Sequence, residues 1–221
     1  MAKLSDLIET FASALSVPQT TVETYVKTLR KQGLLTTGGR GRGAPDVTAD
    51  DCAKVMVAMM AGSPTHAVEK LSEIGNFRSI DDPNKIGEAS SCILDALELS
   101  LGHTLLEGVT ALIAHSIEKP PAIIAQDTVR TIFSPPEGSI HEFGAGNILI
   151  NHQAKTANIT FSLLYSEHIT GNSYRPNRQD AWISYMPEEY WISRKMHFPH
   201  MKTEVSINLH AVDLIGAMLG R

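Results

Sequence analysis

This chain is poor in cysteine, in aromatic side chains and in long apolar runs. Cys52 and Cys92 are the only cysteines among 221 residues. Two thiols cannot build a disulfide scaffold or supply four ligands to zinc. Aromatic residues make up only 6% of the sequence. No apolar run reaches the ~18–20 residues that a membrane span needs. The first residues, Met1-Ala2-Lys3-Leu4-Ser5-Asp6, turn polar at once, unlike a signal peptide. The expectation is a soluble, cytoplasmic protein with no membrane partner. Catalytic signatures are missing too: there is no HExxH, no GxSxG and no GxxxxGK[ST]. Gly144-Ala145-Gly146 lacks the further glycine and helix of a dinucleotide site. No enzyme activity, catalytic residue, cofactor or metal is therefore expected.

What is present is a folding composition. Hydrophobic residues make up 43% and charged residues 19%, which excludes a disordered chain. Charge is unevenly placed. Lys3, Lys27, Arg30, Lys31, Arg40 and Arg42 face four acids, Asp6, Glu9, Glu23 and Asp46, within residues 1–47. That segment sums to +2 in a chain of net charge -5, which leaves -7 for the remainder. From Thr24 to Pro45 there are five basic residues and no acid. An acidic body with a basic edge can meet a polyanion with one face only.

Leu4, Leu7, Ile8, Phe11, Ala14 and Leu15 recur at helical spacing, so residues 4–15 read as an amphipathic helix. Ser16-Val17-Pro18 breaks it. Thr20 stands three residues before Glu23, a capping-box spacing. Behind it Val22, Tyr25, Val26 and Leu29 form a second apolar stripe, which Gly33 ends. Thr36 to Pro45 holds four glycines and two arginines, a turn with no core of its own. Thr48-Ala49-Asp50-Asp51 opens a third helix, running to Gly62 and expected to pack behind the first two.

This arrangement resembles a bacterial helix-turn-helix. Ala12, Ser16, Val22 and Tyr25 stand at matching offsets, with Ser16 in place of the more usual glycine. Thr21-Val22-Glu23-Thr24-Tyr25, then Leu29-Arg30 and Gly33-Leu34-Leu35, look like the recognition helix and first wing strand of winged helix-turn-helix regulators, a type found in prophages. Gly39-Arg40-Gly41-Arg42 is similar to the core of an AT-hook, although Gly43 stands where that pattern has proline. The resemblance covers residues 4–61. It implies a double-stranded DNA partner, contacted by Thr20, Thr21, Thr24, Lys27, Thr28 and Lys31 on the helix and by Arg40 and Arg42 on the wing.

Beyond this segment, Ala67, Val68, Leu71 and Ile74 mark a helix that ends at Gly75. Residues 86–117 read as a strongly apolar helical block bent near Gly102, either buried under a sheet or against a second copy. Pro120-Pro121 marks a boundary, and there the period changes to two. Val129, Ile132 and Phe133 begin strand character. Ile148 and Ile150, then Ile159, Phe161, Leu163 and Tyr165, predict a hairpin. Residues 170–180 read as a long polar loop. Trp182, Ile183 and Tyr185, Trp191 and Ile192, and Val205, Ile207 and Leu209 read as further strands, and 211–219 as strand end or short helix. Six histidines fall in this region, including His197 and His200. Their spacing suits surface or hydrogen-bonded roles better than a zinc site.

The expected fold class is therefore α+β. It divides into a winged helix-turn-helix over 1–62, a helical linker or oligomerisation region over 63–119, and an antiparallel β-rich domain over 120–221. The expected function is sequence-specific DNA binding, as a transcriptional regulator with a C-terminal dimerisation or sensing domain. A homodimer is the expected assembly. A second reading is a phage-type small terminase subunit, whose layout is loosely similar. An enzyme housed in residues 120–221 ranks third.

Overall fold

The structure, a computed structural model, describes residues 2–36, 45–60, 62–79, 88–118, 140–152, 155–170, 173–187 and 204–220. The glycine-arginine segment 37–44, Pro120-Pro121, the strand start at 129–133, Trp191-Ile192 and the His197/His200 pair lie outside those residues.

Helices α1 (Leu4–Ala14) and α2 (Gln19–Lys31) form as their apolar spacing predicts. The turn between them is a Schellman motif. Val17 N–H donates to the Ala12 carbonyl at 3.0 Å and Ser16 N–H to Ser13 at 3.2 Å. This places Ser16 in the left-handed region, at φ 53°, the conformation that favours glycine. The capping box expected from Thr20 and Glu23 does not form. Pro18, at φ -59°, is the N-cap residue, and its carbonyl already accepts from Thr21 at 2.9 Å. Helix formation thus begins ahead of Thr20. A second Schellman turn ends α2, where Leu34 N–H donates to Leu29 at 3.1 Å and Gly33 takes φ 69°.

Helix α3 (Ala49–Met60) is buried on nearly every side, from Asp51 through Met60. It touches α2, but its main partners are α4 (Ala67–Gly75) and α6 (Leu105–Glu118). It is therefore the central helix of a larger layer, not only the third helix of a small unit. The helical block expected over 86–117 is two helices, α5 (Glu88–Ala96) and α6. Between them the chain reverses, with Glu98 at φ 54° and Gly102 at φ 75°. Leu105, Val109, Leu112 and Ile113 on α6 are fully buried within the chain. Contacts with α3 and α7 (Leu209–Leu219) take up that stripe, so its breadth does not require a second copy.

Among the described residues the strands form one five-stranded antiparallel sheet, in the order β1 (Arg78–Ser79), β4 (Ser173–Met186), β3 (Thr156–Thr170), β2 (Ile140–Asn151), β5 (Glu204–Asn208). The predicted hairpin is β2–β3, with Ile148 opposite Ile159. Residues 173–180, expected in a loop, extend β4 and pair along β3, with Arg178 opposite Leu164. Their polar sequence lacks an apolar alternation, yet backbone pairing with β3 needs none. Leu209, expected on a strand, opens α7, because the Asn208 side chain accepts from Ala211 N–H at 3.0 Å and caps the helix.

Ile148, Ile150, Ala157, Ile159, Phe161, Ile183, Tyr185 and Ile207 form the buried face of the sheet. Helices α3, α5 and α7 pack against the strands, giving two layers of mixed α+β architecture. A single apolar cluster runs from Leu7 and Phe11 on α1 through α3 and α6 to Val212 and Ile215 on α7. Contacts of α1 with α7, and of α3 with α6, cross the boundaries expected at residues 62 and 119. Among the described residues no helix is long and apolar enough to cross a membrane.

Candidate nucleic-acid interface

The side chains of α2 divide into two arcs. Val22, Tyr25, Val26 and Leu29 are buried. At ~100° per residue they span one side of the helix, and burying each contributes ~1.5–3 kcal/mol. That burial fixes how α2 is rotated. Thr20, Thr21, Thr24, Lys27, Thr28 and Lys31 then fall within an arc of ~120° on the opposite side. Thr20, Thr24, Lys27 and Lys31 are exposed, and Thr21 and Thr28 are half-buried. All six helical residues predicted from the sequence thus share one face. No acid lies within that arc; Glu23 stands at its edge, 3.5 Å from Lys27 Nζ. Arg30 and Lys31 also place positive charge on the last turn, where the helix dipole favours it.

Two of the threonines are already oriented. Thr24 Oγ1 donates to the Thr20 carbonyl at 2.8 Å and Thr28 Oγ1 to Thr24 at 2.9 Å. Each hydroxyl proton is spent on the helix, so each oxygen is left as an acceptor.

The ends of the glycine-arginine segment are held by one carboxylate. Asp51, 3% exposed, accepts from Thr36 N–H at 2.7 Å and from Thr48 N–H and Oγ1 at 2.9 Å each. Thr48 Oγ1 in return accepts from Asp51 N–H at 3.1 Å, so the expected Thr48–Asp51 box is formed and does more than cap α3. Burial works against ionisation of Asp51, but the Thr36 and Thr48 hydrogen bonds outweigh it and hold the carboxyl below the usual range. Val47 N–H donates to the Ala2 carbonyl at 3.0 Å and Lys3 Nζ meets Asp46 at 2.8 Å, tying the returning chain to the start of α1. Arg40 and Arg42 belong to the segment between these anchors, outside the described residues.

A second polar constellation gave no sequence signal. His103 Nε2 stands 2.8 Å from the Tyr185 hydroxyl, and His103 Nδ1 stands 3.0 Å from Ser79 Oγ and 2.7 Å from the Ser100 carbonyl. These residues are 24 and 82 positions apart in sequence, and only the sheet brings them together. His103, Tyr185 and Ser79 are at most 5% exposed, so the cluster joins elements and offers no surface to a substrate. Cys52 is buried, and burial, reinforced by Asp51, pushes its thiol well up, so it packs as an apolar residue. Among the described residues no three His, Cys, Asp or Glu side chains gather as a metal site. No family model, curated protein sequence or solved structure matches this chain.

Proposed function

We propose that this chain is a sequence-specific binder of double-stranded DNA, acting as a transcriptional regulator through a helix-turn-helix with a wing. One observation carries the reading. The exposed arc of α2 combines four threonines and two lysines with no acid, and the buried arc behind it fixes its rotation. An α-helix of ~10–12 Å diameter fits the ~12 Å major groove. In that groove the threonine methyls would meet thymine methyls, and the back-bonded hydroxyl oxygens would accept from adenine or cytosine amino groups. Lys27 and Lys31 would neutralise phosphates, and Arg40 and Arg42 would extend that contact to the neighbouring strand or minor groove. The Asp51 clamp supports the wing reading, since it holds the two ends of the arginine segment beside α3.

Selection of bound duplexes from a random pool, followed by binding titrations with the enriched and a scrambled duplex, tests the proposal. Enrichment of a defined motif, abolished by K27E/K31E, is the expected result. A folded protein that enriches no motif and binds no duplex at low salt overturns it.

A further inference from the structure

A groove of about 620 Å³ runs between α1 and α2, on the flank of α2 next to the DNA-facing arc. Its floor is apolar: Leu4 and Ile8 from α1 and Val26 from α2. Its rim is cationic, formed by Lys27, Arg30 and Lys31, with Glu23 as the opposing charge. Leu4 and Ile8 are one helical turn apart and half-buried, so the core leaves part of each uncovered. Arg30 and Lys31 each follow Lys27 by about one turn, and all three are exposed. An apolar strip beside three cations is complementary to a segment with the opposite pattern, an apolar stripe flanked by carboxylates.

We infer that this groove docks an acidic amphipathic helix of a partner protein, and that docking displaces DNA. The second half of the inference rests on the DNA-binding reading above. Lys27 and Lys31 belong both to the rim and to the DNA-facing arc, so one polyanion at a time can neutralise them. Arg30 and Ile8 serve the groove alone: Arg30 points ~120° away from the middle of the DNA-facing arc, and Ile8 lies on α1. The two surfaces thus share some residues and differ in others, which makes them separable. An acidic partner here acts as an electrostatic and steric competitor, releasing the regulator from its site.

The test uses the full chain and a fluorescein-labelled peptide of about 15 residues, a helix of ~22 Å. It carries leucines at i, i+3, i+4 and i+7 with glutamates elsewhere. A scrambled peptide of equal composition, a lysine-for-glutamate version and vesicles of anionic phospholipid are the controls. Saturable binding of the acidic amphipathic peptide alone is expected, weakened about tenfold by either R30Q or I8Q. I8Q should keep DNA affinity within about threefold, because Ile8 is uncharged and lies on α1, and R30Q should change DNA affinity less than it changes peptide affinity. Unlabelled peptide should release a bound duplex in proportion to its occupancy. Equal binding of the scrambled peptide, preference for vesicles, or no saturable peptide binding by a folded protein overturns the groove assignment. A protein that binds the peptide but no duplex overturns the DNA reading and leaves the groove standing. One that binds duplex and peptide together removes the competition.

Discussion

His103 Nε2 and the Tyr185 hydroxyl meet at 2.8 Å, joining the turn before α6 to strand β4. The partner of Nδ1 fixes the imidazole's state. The Ser100 carbonyl at 2.7 Å can only accept, so Nδ1 carries the proton. Nε2 is then the bare nitrogen that accepts from Tyr185. Gly108 makes room for this contact, since a methyl there would overlap the Tyr185 hydroxyl. Burial pushes the His103 imidazole down, against opposing pulls from the Ser100 carbonyl and Glu107, and burial pushes the Tyr185 phenol up. Both groups are held neutral.

This network predicts a pH dependence with a definite sign. The folded-state pKa of His103 lies below its ordinary value near ~6.5. Its contribution is therefore complete above that value and is lost as pH falls through the folded-state pKa. Urea midpoints at about pH 7.5 and about pH 5.5 should show a larger acid loss for the native chain than for H103Q. Equal losses would show that His103 does not titrate with unfolding. Separately, Y185F leaves Nε2 buried without a donor and should cost about 1–3 kcal/mol at neutral pH.

Ser16 holds a left-handed conformation at φ 53° that costs an L-residue ~1–2 kcal/mol, while glycine gives back part of that through a looser unfolded chain. S16G should stabilise the protein by about 0.5–1 kcal/mol and raise Tm by about 2 °C. A lower melting temperature would mean that the serine side chain compensates for its backbone.

A fragment of residues 1–62 is expected not to fold as the isolated unit that the helix pattern suggests. It retains α2 as a neighbour of α3, but removes α4, α6 and α7 from the buried faces of α3 and α1. Circular dichroism should show a shallow, non-cooperative melt for the fragment and a cooperative one for the full chain. A sharp fragment transition would show that the three helices suffice.

Charge and base readout should separate in DNA binding. R40A/R42A is expected to weaken binding to all duplexes and to flatten the log-log salt slope by about 1.8, at ~0.9 per phosphate contact. T21A or T24A should change the preferred bases and leave the slope nearly intact. Binding titrations across several salt concentrations, on a selected and a scrambled duplex, measure both. An unchanged slope in the arginine variant would remove the wing from the phosphate contacts.

Local pattern determined a good part of this protein. The stripe Val22-Tyr25-Val26-Leu29 fixed both the existence of α2 and the face it buries, because a 3.6-residue period is written along the chain itself. That face in turn placed six predicted residues together on the opposite side. The hairpin β2–β3 followed from period-two alternation, and the Thr48–Asp51 box from a spacing of three. Tertiary structure decided what period cannot carry. Residues 173–180 became strand because β3 offered them a backbone partner, and hydrogen bonding between strands is indifferent to polarity. Residues 105–117 buried their stripe in α3 and α7 within the chain, since an apolar face does not specify what covers it. Asp51 reaching Thr36 across 15 positions, and His103 reaching Tyr185 across 82, depend on chain paths that bring distant residues together. Contacts of that kind follow from packing the whole core, and no spacing in the sequence encodes them.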